Sequence, residues 1–173
     1  MGKWDKEIDY ETFYGILLRR LKKKKEKKTL CYDSILLIQL RNGCRISEAV
    51  RSFKQYLASG ALEIKTKVSK KKNEERLIII PLELEENKVK KICGELLEVD
   101  DKTLTNRVKV YSLREYRINT HSLRYAFITY LLRHGVNPAI VSKIIKHSKL
   151  DQLLTYVQEK TGEELLRKLD LLF

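Results

Sequence analysis

The sequence predicts a mainly α-helical fold carrying one small antiparallel β-hairpin, and three observations point there. Gly (7) and Pro (2) are scarce among 173 residues, and 43% of the residues are hydrophobic, so long segments run unbroken and a single-domain core can form. Apolar residues recur at spacings of three and four along most of the chain. Only residues 62–82 depart from that rhythm, with strand-like stretches on either side of a polar turn.

Asp9 is placed to cap a first helix whose apolar face carries Phe13, Ile16, Leu17 and Leu21. The basic run Lys22–Lys28 reads either as a solvated loop or as a phosphate-contacting edge. A second helix, Cys31–Asn42, is apolar nearly all round and is expected to be buried, with Gly43 as the left-handed residue that ends it. Ser47 is the expected cap of a third helix bearing Val50, Phe53 and Leu57, which Ser59-Gly60 breaks. Leu62–Lys65 and Leu77–Leu82 read as the two strands, joined by the turn from Lys70 to Glu75. Two helical stripes come next: Val89, Ile92, Leu96 and Leu97, then Leu104, Val108 and Tyr111. Arg114–Asn119 reads as a loop. His121–Arg133 is helical with Gly135 as its stop, and Asn137-Pro138 opens a helix carrying Ile140, Val141, Ile144 and Ile145. After a short segment with Leu153, Leu154 and Val157, Thr161-x-x-Glu164 is a capping box for a tail helix over residues 160–173, with Leu165, Leu166, Leu169 and Leu172.

Lys plus Arg (36) exceed Asp plus Glu (23), giving a net charge of +13, the electrostatic footprint of a polyanion binder. No segment pairs an apolar face with a basic one in the manner of a membrane-surface helix, and no apolar run is long enough to span a bilayer. Cys31, Cys44 and Cys93 match no zinc spacing, and an odd, scattered set is no disulfide framework; they read as small core residues in a reducing compartment. An intracellular protein is expected.

Three clusters carry candidate chemistry. Arg45 sits in a turn between two helices, with Glu48 one turn along to fix its guanidinium and a helix N-terminus adding positive potential. Taken alone, such a pair is more often a surface ion pair. His121 and Arg124 share one helix face and can donate to the same phosphoryl group. His147 and Tyr156, nine residues apart, can meet where a helix gives way to the next segment.

Together these clusters resemble tyrosine recombinases, the phage-integrase and Xer-like family. The family's second signature block runs His-x-x-Arg, then Leu-Leu-x-His-Gly, then Gly-His-Ser-x-Leu, then a tyrosine nine residues beyond that histidine. Here it stands as His121-Ser-Leu-Arg124, Leu-Leu-Arg-His134-Gly, Lys146-His147-Ser-Lys-Leu and Tyr156. The first block, Thr-Gly-Leu-Arg-Ile-Ser-Glu, is similar to Asn42-Gly-Cys-Arg45-Ile-Ser-Glu48. The resemblance covers the chain from about Asp9 onward and implies the family's DNA breaking-rejoining catalytic-domain fold over residues 1–173, without the N-terminal core-binding domain. Lysine- and isoleucine-rich composition suits an archaeal or archaeal-virus member.

The resemblance also implies roles. Arg45 and Arg124 would clamp the scissile phosphate, and His121 and His147 would bind its oxygens or handle protons. Tyr156 would attack phosphorus, leaving a 3′-phosphotyrosyl link and a free 5′-hydroxyl. A hairpin lysine, with Lys71 the central choice, Lys70 and Lys72 beside it and Lys65 the outsider, would protonate the leaving oxygen. Neither metal nor cofactor is implied. Two departures stand out: Lys146 replaces the glycine before the second histidine, and the hairpin is crowded with lysines. His134 falls at a non-catalytic family position and reads as a helix-end cation near carbonyls. The implied partners are double-stranded DNA and further copies of the chain, a tetramer on DNA and a monomer or weak oligomer when free, with the tail docking on a neighbouring copy in the DNA-bound state and on its own core otherwise. The rival readings are a type IB topoisomerase-like nicking-closing enzyme and a non-catalytic helical DNA-binding module.

Overall fold

A computed structural model describes residues 8–23, 26–146, 162–164 and 166–169. The chain divides into two compact units, Met1–Phe127 and Ile128–Phe173. The first holds helices α1 (Tyr10–Lys23), α2 (Lys27–Asn42) and α3 (Ile46–Ser59), the hairpin β1 (Glu63–Lys67) and β2 (Glu75–Ile79), the short helices α4 (Leu82–Glu86) and α5 (Val89–Cys93), a 3-10 turn (Gly94–Glu98), α6 (Asp101–Tyr116), and the start of α7 (Thr120–Arg133). The second holds the rest of α7, then α8 (Pro138–Ile145) and the helical residues of the tail. Among the described residues, no helix is long and apolar enough to cross a membrane.

Helix α2 is the axis of the first unit: residues 30–31, 33–40 and 42 are buried, as its all-round apolar composition predicts. It starts at Lys27, earlier than its apolar pattern suggests, and α1 runs on to Lys23. Of the basic run, Lys22, Lys23, Lys27 and Lys28 are therefore in helix ends and Glu26 precedes α2, while residues 24 and 25 lie outside the described residues. Asp9 caps α1 as expected, its Oδ2 accepting from the Thr12 backbone at 2.9 Å. Buried Asp33 accepts from Tyr111 (2.8 Å), Tyr116 (2.6 Å) and the Arg20 Nε (3.1 Å), tying α2 to α1 and α6. Those two tyrosines explain why the predicted loop Arg114–Asn119 shortens to residues 117–119: α6 continues to Tyr116, and Arg117, at φ 59°, ends it.

Gly43 ends α2 at φ 59°, and a Cβ there would lie 2.1 Å from Phe127 Cδ1, so both the backbone and the packing require glycine. The cap of α3 is Arg45 instead of the expected Ser47, because Glu48 accepts from the Arg45 amide at 3.1 Å while the Ser47 hydroxyl is 2.7 Å from that of Ser69. In the hairpin, Thr66 lies opposite Arg76 and Lys67 opposite Glu75. The second strand comes earlier than Leu77–Leu82, since Pro81 carries no donor and leads into α4, leaving Leu82 62% exposed.

The cysteine reading is corrected. Cys31 and Cys93 form a disulfide between α2 and α5, and Cys44 alone is a free, buried thiol, its pKa pushed up to about 12 by burial. Their separation of 62 residues matches no motif; packing of α5 on α2 makes the pair. In the second unit Gly135 adopts φ 78°, and Asn137 accepts from the Ala139 amide at 2.8 Å ahead of Pro138, as predicted. His134 Nδ1 lies 2.8 Å from the Tyr130 carbonyl. Lys146 ends α8 at φ 53°, the left-handed conformation that a glycine adopts without strain. In the tail, residues 162–164 and 166–169 are helical, Leu166 and Leu169 are 66% and 40% exposed, and Glu164 lies 3.4 Å from Arg133 of α7. Leu153, Leu154, Val157, Thr161, Leu165, Leu172 and Phe173 lie outside the described residues.

Closing a loop with a 62-residue separation is worth about 4 kcal/mol in the chain-entropy model. Cys93→Ser, or reduction of the wild type, is expected to lower the unfolding free energy by roughly that amount in urea titrations. Identical curves with and without reductant would show that the bond contributes nothing.

Candidate active site

The site is assembled where α2 ends. Asn42, buried in the last turn, donates to Ile38 (2.9 Å) and Ile79 (2.8 Å) and accepts from the Ile79 amide (2.9 Å), which pins β2 against the helix end. Gly43 then turns the chain and Cys44 plugs into the core, its carbonyl accepting from Gln39 at 3.1 Å. Arg45 emerges at the start of α3 with its side chain 14% exposed.

Glu48, fully buried, organises the groups around it. Its Oε2 accepts from the Arg45 amide at 3.1 Å and lies 3.4 Å from Arg76 Nη1. Its Oε1 lies 3.4 Å from Arg45 Nη1 and accepts from the Ser69 amide at 3.1 Å. One carboxylate thus joins the Arg45 turn, strand β2 and the hairpin turn. The turn is further held by Arg51, whose Nη2 donates to the Lys67 carbonyl (2.5 Å) and to Ser69 Oγ (3.2 Å).

Asn119 caps α7, its Oδ1 accepting from the His121 amide at 3.0 Å, so His121 and Arg124 lie on the first turns. Arg124 is 2% exposed, and its pKa is pushed down to about 10 by burial first and by the Arg45 charge next; Arg76 acts the same way and Glu48 opposes. His121 is exposed as a residue, yet desolvation by its surroundings holds its pKa below the ordinary imidazole value. The charges of Arg124, Lys70, Arg45 and Lys109 push in the same direction. Three guanidiniums and an imidazole therefore share one positive field, which is an arrangement for binding an anion.

Of the residues singled out from the sequence, Arg45, Glu48, His121 and Arg124 are brought together in the first unit. Lys70 is the hairpin lysine whose charge reaches His121, whereas Lys71 is 3.7 Å from Glu74. Lys72 is exposed, and Lys65 lies on the outward side of β1. His147 and Tyr156 lie outside the described residues. Sequence reasoning missed Arg76, Arg51, Asn42 and Lys109. Arg76 had left a signal: alternation along β2 puts it on the same face as buried Ile78, and a charged residue on the buried face of a strand calls for a partner.

These features define a cluster of partly buried cationic groups around one carboxylate in a helical domain. No family model and no solved structure matches the chain. Among curated proteins, ORF241 of Acidianus two-tailed virus, provisionally named an integrase, is 40% identical over 171 residues, 97% of this chain and 69% of that protein. V10 of Sputnik virophage, likewise provisionally named an integrase, is 32% identical over 160 residues, 78% of this chain and 69% of that protein. The tyrosine recombinase XerC of Rickettsia typhi is 28% identical over 156 residues, 73% of this chain and half of that protein. The chain belongs to the tyrosine recombinase, or integrase, family.

The electrostatics can be tested directly. Because the His121 pKa is lowered, the ring is neutral at pH 7, and its contribution to stability is present above the unfolded-state value of about 6.5 and is lost as pH falls through the folded value. An anion bound beside Arg45 and Arg124 favours the imidazolium. Sulfate or vanadate is therefore expected to raise the His121 pKa in an NMR titration of its ring protons; a pKa that saturating anion leaves unmoved would show that the cluster does not hold it.

Proposed function

We propose that the chain is the catalytic domain of a site-specific DNA recombinase that cuts and rejoins strands through a covalent 3′-phosphotyrosyl link. The observation that carries this reading is the convergence of Arg45 and Arg124 on a buried carboxylate with His121 in their field, in a chain whose sequence blocks resemble those of the family. In the proposed reaction the Tyr156 hydroxyl gives its proton to His121 or His147, its oxygen attacks phosphorus, and the bond to the 5′-oxygen breaks. A hairpin lysine, Lys71 by sequence position with Lys70 and Lys72 as alternatives, gives that oxygen its proton. A 5′-hydroxyl then attacks the phosphotyrosine and restores the diester, so the bond energy is conserved. Arg45 and Arg124 donate to the non-bridging oxygens, where charge builds toward the transition state, and fixed donors there lower the barrier. His121 and His147 complete the shell.

Helix α6 supports duplex DNA as the substrate. Its outward side carries Asn106, Val110 and Leu113, the last two 64% and 59% exposed, with Lys102 and Lys109 on one flank and Arg107 and Arg114 on the other. Such a stripe offers an amide and apolar groups to base edges and cations to the phosphates. A groove of about 470 Å³ between this flank and the start of α2, lined by Lys28, Tyr32, Arg107 and Arg114 among others, continues the basic surface. Exposed Leu166 and Leu169 are surface that contact between copies on DNA would cover, and cross-linking with and without DNA, before and after deletion of residues 163–173, reads the copy number.

Incubation with nicked duplex DNA carrying the target, then a denaturing gel, is expected to show a covalent adduct that Tyr156→Phe abolishes while DNA affinity is retained. Arg45→Ala and Arg124→Ala are each expected to slow adduct formation by roughly 10²–10³ with little loss of binding. An adduct persisting in Tyr156→Phe would assign the nucleophile elsewhere, and near-wild-type rates in both arginine variants would refute the site.

Binding to duplex DNA is expected to weaken steeply with salt. Arg107→Ala and Arg114→Ala should each flatten the slope of log K against log salt by about 0.9 where a phosphate contact is lost. Unchanged slopes in both variants would place the DNA path away from α6.

A further inference from the structure

Arg76 is 4% exposed on the inward face of β2, in contact with the candidate active site but belonging to neither sequence block. Its Nη2 donates to the Asn42 carbonyl at 2.7 Å and its Nη1 lies 3.4 Å from Glu48 Oε2; its Nε is buried with no hydrogen-bond partner. For stability alone this is a poor use of a charge, since a buried ion pair rarely outperforms a well-packed apolar residue of similar size.

Its position has another consequence. Glu48 faces Arg45 through one oxygen and Arg76 through the other, so one carboxylate is divided between two guanidiniums. Without Arg76, Glu48 would be a full counter-ion for Arg45 and would offset the charge that Arg45 can offer to a phosphate. With Arg76, the three groups keep a net positive charge where the anion must sit. Arg76 also bridges the last carbonyl of α2, just ahead of the Arg45 turn, to the strand that leads out of the lysine turn, so it sets the distance between those two turns.

We infer that Arg76 is a positioning residue of the phosphate site: by sharing Glu48 it keeps Arg45 cationic toward the phosphate and holds the lysine turn in register with it. The inference rests on the phosphoryl-transfer reading above. The suppression of the Arg124 pKa agrees with it, because the Arg76 charge is one of those that produce it. Arg76 acts through Glu48 and Arg45 and is not assigned a contact with DNA.

The test uses the full chain and two readouts: affinity for inorganic vanadate, followed at the His121 ring, and single-turnover adduct formation on nicked duplex. Arg76→Met is expected to weaken vanadate at least ~10-fold and to slow adduct formation ~10²-fold, on the scale of removing one transition-state donor, with DNA affinity within about twofold of wild type. Adding Glu48→Gln in that background removes the unshared carboxylate and should restore vanadate affinity by several-fold. A double variant as weak as Arg76→Met, or weaker, would reduce Arg76 to a structural role and overturn the inference. If Arg76→Met does not fold, Arg76→Lys decides: vanadate affinity within about threefold of wild type supports charge sharing, and a loss of ~10-fold overturns it. If the wild type forms no adduct, the phosphoryl-transfer reading fails, while the vanadate arm still decides the role of Arg76.

Discussion

A single buried carboxylate governs the geometry of this domain's functional end. Glu48 has no access to water, so all its stabilisation comes from protein donors: two guanidiniums and two backbone amides. Those donors come from three places in the chain, the α2–α3 turn, the hairpin turn and strand β2. Moving any of them leaves a buried charge under-satisfied. The carboxylate is therefore a geometric constraint on the arginine and the lysines, which would otherwise be held only by flexible side chains on a turn.

A second buried carboxylate, on α2 itself, does the same for other elements. Asp33 gathers Tyr111, Tyr116 and Arg20, and desolvation raises its pKa even though its three partners oppose that rise. Arg20 also lies over the Tyr116 ring at 5.1 Å and pairs with Glu115 at 2.9 Å. This junction fixes α6 on the core, and the Cys31–Cys93 bond fixes α5. Disulfides are rare in the cytosol of mesophiles but common inside hyperthermophilic archaea and bacteria, so a buried disulfide alone does not assign a compartment.

Positive charge accumulates around Glu48 at a local cost. Burying Arg124 beside Arg45 and Arg76 opposes its own protonation, and desolvation, with the Arg124 and Arg45 charges adding to it, lowers the pKa of His121. In the proposed reading an anion would relieve strain of this sort. The left-handed Lys146 just ahead of His147 is a similar local cost, borne where the family pattern has glycine.

By itself the sequence determined the helical class, the hairpin, the left-handed Gly43, the caps at Asp9 and Asn137, and the pairing of Arg45 with Glu48 and of His121 with Arg124. All of these depend on spacings of a few residues, where backbone geometry translates pattern directly into position. Tertiary structure decided the rest. The cap of α3 moved to Arg45 because a hairpin serine took the Ser47 hydroxyl, and α6 outran its predicted end because Tyr111 and Tyr116 found Asp33 across the core. Cys31 met Cys93 because α5 packs on α2, and Arg76 entered the site because strand pairing turned it toward Glu48. Each of these is a contact between residues tens of positions apart, and no local spacing encodes which distant group will satisfy a buried donor or acceptor; that is decided only when the core closes and water is no longer there to do it.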